Sequence, residues 1–187
     1  GIALVLAVGI GIPLETIPTT IGKGFSSIFT SIGIVIILGT IIGLILEKTG
    51  AAIRLADAII RVIGEKHPQL AVMLIGWIIS VPVFCDSGFV IVNPIRKWLA
   101  RKTKFSSVTL TVALSAGLYV AHVFIPPTPG PIATAGLVGL ENNLLLVIGM
   151  GVAVSIVPLI AAYFFATYIG RKVKSTDELD VESISQA

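Results

Sequence analysis

The stretch LAVMLIGWIISVPVFCDSGFVIVNPIRKWLARK, residues 70–102, decides how this chain folds. Its first half is oily enough to enter a bilayer, yet Cys85, Asp86, Ser87 and Gly88 stand at its centre, where an isolated carboxylate is costly. Composition shows that a bilayer is the right solvent to consider. Of the 187 residues 55% are hydrophobic and 12% charged, a balance foreign to an ordinary soluble domain. Hydrophobic runs near 28–46, 106–123 and 144–169 approach or exceed the roughly 20 residues that cross about 30 Å of hydrocarbon as a helix. An all-α integral membrane protein follows.

Charge placement orients those spans. Twelve of the thirteen Lys and Arg residues fall in the segments 47–68, 96–104 and 170–174, and only Lys23 falls elsewhere. The net charge of +3 therefore marks loops on one side of a membrane, the cytoplasmic one, and not a nucleic-acid surface. Both flanks of residues 69–95 are basic, so that run must leave the cytoplasmic face and return to it. We read it as a re-entrant helical hairpin with Cys85 to Gly88 at its tip, buried in protein or facing a wet cavity. A single cysteine leaves no internal disulfide and no cysteine cluster for a metal. No basic leader or A-x-A site precedes the first apolar run and no Met opens the chain, so a fragment whose first helix is cut short is expected.

A second interruption lies in AHVFIPPTPGPIATAGLVGL, residues 121–140. Pro126, Pro127, Pro129 and Pro131 cannot continue a helix, because each lacks the N–H and crowds the preceding turn. The helix should break near Ile125, with Pro131 opening a new half-helix. If hydrocarbon begins near Leu110, His122 lies about 18 Å along the helix, which puts the break at or beyond the midplane. The division expected is transmembrane helices over 1–46, an interfacial amphipathic helix over 47–68 carrying Arg54, Asp57 and Arg61 on its polar face, and the hairpin with its basic loop over 69–104. The broken helix takes 105–140, a further transmembrane helix 141–170 and a polar cytoplasmic tail 171–187. Gly39 with Gly43, and Gly149 with Gly151, read as close helix contacts.

The two breaks carry the chemistry. Asp86 needs a partner, water or a proton, which makes it a candidate proton-coupling residue; the plainer alternative is an N-cap of the second hairpin arm. Ser87 and Gly88 add a hydroxyl and backbone N–H groups at a helix N-terminus that attracts anions. Thr128 and Gly130 offer the same at the other break, so two N-termini can converge on one anion. His122 either packs or shares a proton with Asp86. Asn93 either satisfies backbone freed by Pro94 or touches a ligand. One His, one Cys and one Asp offer no zinc spacing, so neither metal nor organic cofactor is called for. Broken helices meeting near the midplane are the design of inverted-repeat secondary transporters, and this chain holds one such unit, so the C-terminal repeat is missing. A channel would need a carbonyl-lined filter or a charged ring at the tip. A membrane enzyme built on Cys85, Asp86 and His122 and an assembly subunit are the remaining classes.

FCDSGFVIVNPI followed some thirty residues on by HVFIPPTPGP resembles the gluconate permease family, proton symporters for gluconate and related sugar acids within the ion transporter superfamily. The resemblance covers the hydrophobic part of the chain as the first repeat of a longer, two-repeat protein. It implies a homodimer in which a domain carrying the hairpin and the broken helix moves against a scaffold. Asp86, Gly88, Phe89, His122, Pro126, Pro127, Pro129, Gly130 and Pro131 match the family as they stand. Cys85, Ser87 and Thr128 depart from it, which leaves glycerate or a polar amino acid such as serine open as cargo beside gluconate. The expected driving force is the proton gradient, with Asp86 and His122 carrying the proton and Ser87, Gly88, Asn93, Thr128 and Gly130 the anionic substrate.

Overall fold

The computed structural model describes residues 2–63, 66–140 and 142–175, apart from the side chains at 3, 28, 31, 32, 35, 36 and 47. It is helical throughout, with no strand among the described residues. Helix α1 (Ile2–Gly9) leads through a short 3-10 turn (Leu14–Thr16) into α2 (Ile17–Lys48). Helix α3 (Ala51–Ile63) precedes the two arms of a hairpin, α4 (Pro68–Ile79) and α5 (Cys85–Thr103). The broken helix follows as α6 (Ser107–Phe124) and α7 (Pro129–Leu137), and α8 (Leu144–Lys172) completes the bundle.

Close contacts fix the directions. At one end of α4 the Gln69 amide donates to the Tyr163 carbonyl of α8 at 2.6 Å; near the other, the Trp77 indole N–H donates to Ser155 Oγ at 3.2 Å. Helices α4 and α8 are therefore antiparallel. So are α6 and α8, since Gly170 lies against Thr109 and Gly151 against the Phe124 carbonyl. Arm α5 runs opposite to α6, with Gly88 on Leu118 near the tip and Arg96 bonded to Ser107 at the base. Thus α4 rises beside α6 and α5 descends beside it, a true hairpin. The hairpin base, with Lys66, Arg101, Lys102 and Lys104, meets the α8 end with Arg171 and Lys172 at one end of the bundle.

Glycine sets the spacing of that packing. A Cβ on Gly76 would stand 2.7 Å from the Leu114 carbonyl, and one on Gly117 would collide with the Met73 carbonyl, so α4 and α6 cross in backbone contact. Around the crossing, Ile75, Ile79, Leu99, Leu110, Leu114 and Leu118 are fully buried. Helix α3 docks its Ala52 and Ala56 stripe, with Ile59 and Ile60, onto the same core and leaves Arg54, Asp57 and Arg61 outside.

The outer surface is apolar. Residues 107–137 and α8 are long and apolar enough to cross a membrane, and only 17% of the apolar window of α8 is buried. Leu145, Val157 and Phe164 stand open on it, an arrangement stable in lipid and not in water. The expected span 28–46 lies inside α2. Arm α4 has 12 residues, about 18 Å of helix, too short to cross alone.

Several boundaries differ from expectation. The new half-helix opens at Pro129 and not at Pro131, because a proline at the first helical position lacks only an N–H that has no helical partner anyway. Of the glycine pairs, Gly39 and Gly149 have nothing within 4 Å of where a Cβ would stand. Gly43 makes its close contact with the Pro82 carbonyl of the hairpin turn, at 3.0 Å from an ideal Cβ, and not with another helix. Helix α8 continues two residues into the segment expected as tail; residues 176–187 of that tail lie outside the described residues.

Candidate functional site

The site is built where two chain interruptions meet. Arm α4 ends at Ile79, and Ser80 to Phe84 turn the chain into α5, whose N-cap is Phe84. Helix α6 ends at Phe124. Ile125 is extended, the Pro126–Pro127 peptide is cis, and Thr128 is the N-cap of α7. Both N-caps, Phe84 and Thr128, line one small cavity together with Gly39, Ser80, Val81, Pro82, Val83 and Pro127. Its space for the centre of a water-sized sphere is about 10 Å³, room for little more than one water. The starts of α5 and α7 thus border one cavity, about 22 Å of helix from Thr109 at the basic end.

Proline thins the donors on the α7 side. Pro129 and Pro131 carry no N–H, so Gly130 supplies the N–H of that first helical turn. Gly130 is exposed, with nothing within 4 Å of where a Cβ would stand. Thr128 is buried, and its hydroxyl donates to the Ile125 carbonyl at 2.7 Å, a group freed by the break. The hydroxyl oxygen keeps its acceptor capacity.

On the α5 side the first helical bond joins the Gly88 N–H to the Phe84 carbonyl at 2.8 Å. That corrects the reading of Gly88 as a free donor: the N–H groups ahead of the first helical bond are those of Cys85, Asp86 and Ser87. Gly88 serves packing instead, since a Cβ there would stand 2.8 Å from Leu118 Cδ2. Asp86 lies inside the first turn and is exposed, and α5 has no side-chain cap, so the plain capping alternative is not what the fold uses. The carboxylate still sits at the positive end of a helix. The Cys85 thiol points to it at 3.8 Å.

His122 occupies the last turn of α6 and meets the Phe84 ring edge-on at 6.1 Å between centroids. It therefore touches the hairpin turn. Asn93 does not: its side-chain oxygen accepts from Arg96 Nε at 2.8 Å, about 10 Å of helix below Asp86. Arg96, which sequence reasoning passed over, is buried and also donates to Ser107 Oγ at 2.7 Å, tying α5 to the start of α6. A cation inside an otherwise apolar arm was the signal that it needed partners. Ser80 was missed as well, a serine hidden among apolar neighbours. Among the described residues no three His, Cys, Asp or Glu side chains cluster as metal ligands.

Comparison with known proteins places this arrangement. The model of the GntP family permeases matches residues 2–187. An uncharacterized permease of Haemophilus influenzae is 39% identical over 176 residues, 91% of this chain and 36% of that protein. The gluconate permease of Bacillus subtilis is 32% identical over 171 residues, 91% of this chain and 38% of that protein. The gluconate permease of Pseudomonas aeruginosa is 29% identical over 98% of this chain and 42% of its own length. The chain spans less than half the length of these relatives. No solved structure matches it significantly.

Proposed function

The chain belongs to the GntP family of permeases, and from that premise we propose that it forms the first half of a secondary transporter carrying gluconate or a related sugar acid across the cytoplasmic membrane, driven by protons. A permease family leaves no place for the enzyme reading of Cys85, Asp86 and His122. The observation that carries the proposal is that the N-cap residues of two helices, Phe84 and Thr128, line one cavity. Such termini present unpaired N–H groups and partial positive charge to an anion. The substrate carboxylate lies between the Ser87 N–H and hydroxyl on one side and the Gly130 N–H on the other, within reach of the Thr128 oxygen.

In this reading the hairpin enters the bilayer from the cytoplasmic side and returns there, with its basic base in the aqueous phase. Asp86 shares the α5 terminus with the substrate, so an ionised carboxylate opposes the anion and a protonated one admits it. That opposition couples proton to substrate, because each binds better when the other is present. His122, across the Phe84 ring from the hairpin turn, is the second residue assigned to carry the proton. A second unit outside this chain supplies the opposing half of the site, and two copies of the whole form a dimer.

Uptake of labelled gluconate into proteoliposomes carrying the full-length protein tests the proposal. A pH gradient alone should drive accumulation in the wild type, whereas Asp86→Asn should abolish accumulation and retain exchange. Undiminished accumulation by Asp86→Asn would remove Asp86 from the coupling. Gluconate exclusion, in vesicles that still exchange glycerate or serine, would keep the transporter and change the substrate.

A further inference from the structure

Two buried side-chain polar atoms have no hydrogen-bond partner among the described residues, Ser80 Oγ and His122 Nδ1. Both lie where the hairpin turn meets the broken helix. Ser80 caps the C-terminus of α4, is fully buried and belongs to the wall of the tip cavity. His122 lies across Phe84, the residue that lines that cavity and contacts the imidazole. An unpaired buried polar atom is destabilising and calls for a reason.

Loose packing is not that reason, because the other interior polar groups of the bundle are paired. Gln69 holds Tyr163 and Thr167, Trp77 holds Ser155, and Arg96 holds Asn93 and Ser107. Nor is it a generic habit of hydroxyls in helices. Thr128, Ser155 and Thr167 each donate back to a carbonyl three or four residues earlier, whereas Ser80 makes no such bond. Its hydroxyl stays free to donate and to accept.

We infer that Ser80, with His122 across the Phe84 ring, reads hydroxyl groups of the substrate, so that the tip site selects a polyhydroxylated acid over a plain carboxylate. The inference rests on the transporter reading above and deepens it: helix termini hold the carboxylate, while two unpaired polar atoms wait for groups that are donor and acceptor at once. Buried groups built to pair a substrate hydroxyl discriminate against analogues that lack it, because they are then left unpaired. The cavity as it stands holds about one water, so the turn opens as substrate enters.

The test uses the full-length protein in proteoliposomes, with gluconate, its monodeoxy analogues and propionate as competitors of labelled gluconate exchange. In the wild type at least one monodeoxy gluconate should compete about tenfold more weakly than gluconate, the loss of one hydrogen bond. Ser80→Ala should erase that difference, leave propionate unchanged and unfold no earlier than the wild type without substrate, since an unpaired buried hydroxyl has been removed. Equal discrimination by wild type and Ser80→Ala would overturn the inference while leaving the transporter intact. A Ser80→Ala protein that misfolds or melts several degrees lower would also overturn it, by showing the hydroxyl to be structural. Failure of the wild type to exchange any hydroxy acid would sink the transporter reading itself.

Discussion

At the scale of single residues, glycine and a few hidden polar groups decide how closely helices approach. Gly117 has no room for a side chain, because its Cβ would meet the Met73 carbonyl and the Trp77 N–H in the facing arm. Gly117→Ala should lower stability by about 1–3 kcal/mol through forced separation of α4 and α6, read as earlier thermal unfolding of the full-length protein in detergent. Gly149→Ala is the matched control. Nothing lies within 4 Å of that position, so the substitution should be neutral or gain up to about 1 kcal/mol of helix propensity. The sequence singled out Gly149 as a close contact and passed over Gly117, although each stands in an apolar helical run; only the neighbour across the interface tells them apart. Asn93 teaches the same lesson. Its place beside Pro94 admitted a ligand role, while the fold assigns its oxygen to Arg96.

At the scale of elements, the break between α6 and α7 combines what proline forbids with what threonine repairs. Proline at 126 and 127 stops the helix, and Pro129 has no N–H to offer the Ile125 carbonyl; the Thr128 hydroxyl donates to it instead at 2.7 Å. Thr128→Val keeps the shape but strands that buried carbonyl, which should destabilise by about 1–3 kcal/mol and reduce gluconate uptake. Thr128→Ser should preserve both. Thermal unfolding and initial uptake rates, measured on the same preparations, distinguish a repair of the backbone from a contact with substrate alone: in the latter case Thr128→Val would transport poorly yet melt with the wild type.

At the scale of the whole molecule, the first hairpin arm is fastened to the body of the bundle. Gln69 and Trp77 bond to α8 at opposite ends of α4, and Gly76 and Gly117 lock α4 to α6. Arm α4 therefore travels with α6 and α8 as one body. A short bifunctional thiol reagent joining Gln69→Cys to Thr167→Cys, in a Cys85→Ser background, should leave gluconate exchange intact. Loss of exchange on cross-linking, with recovery on cleavage of the linker, would show that the arm moves against α8. The turn, residues 80–84, touches α2 at Gly43 and shares its cavity with Pro127 and Thr128 of the break.

The sequence by itself determined the solvent, the helices and their interruptions. Apolar runs of membrane length point to lipid, four prolines near residue 128 require a broken helix, and basic residues on both flanks of 69–95 are the ground on which we propose a chain that returns to the same face. These are local consequences, written in composition and in the missing N–H of proline. Only the tertiary structure decided that α4 lies parallel to α6, that the two interruptions share one cavity, that the Gly88 N–H is engaged while Gly130 stays open, and that Ser80 is buried without a partner. Such facts depend on which faces meet across residues far apart in the chain. Helical periodicity states that a face is apolar, but backbone contact at Gly76 and Gly117 fixes the rotation and height at which it docks.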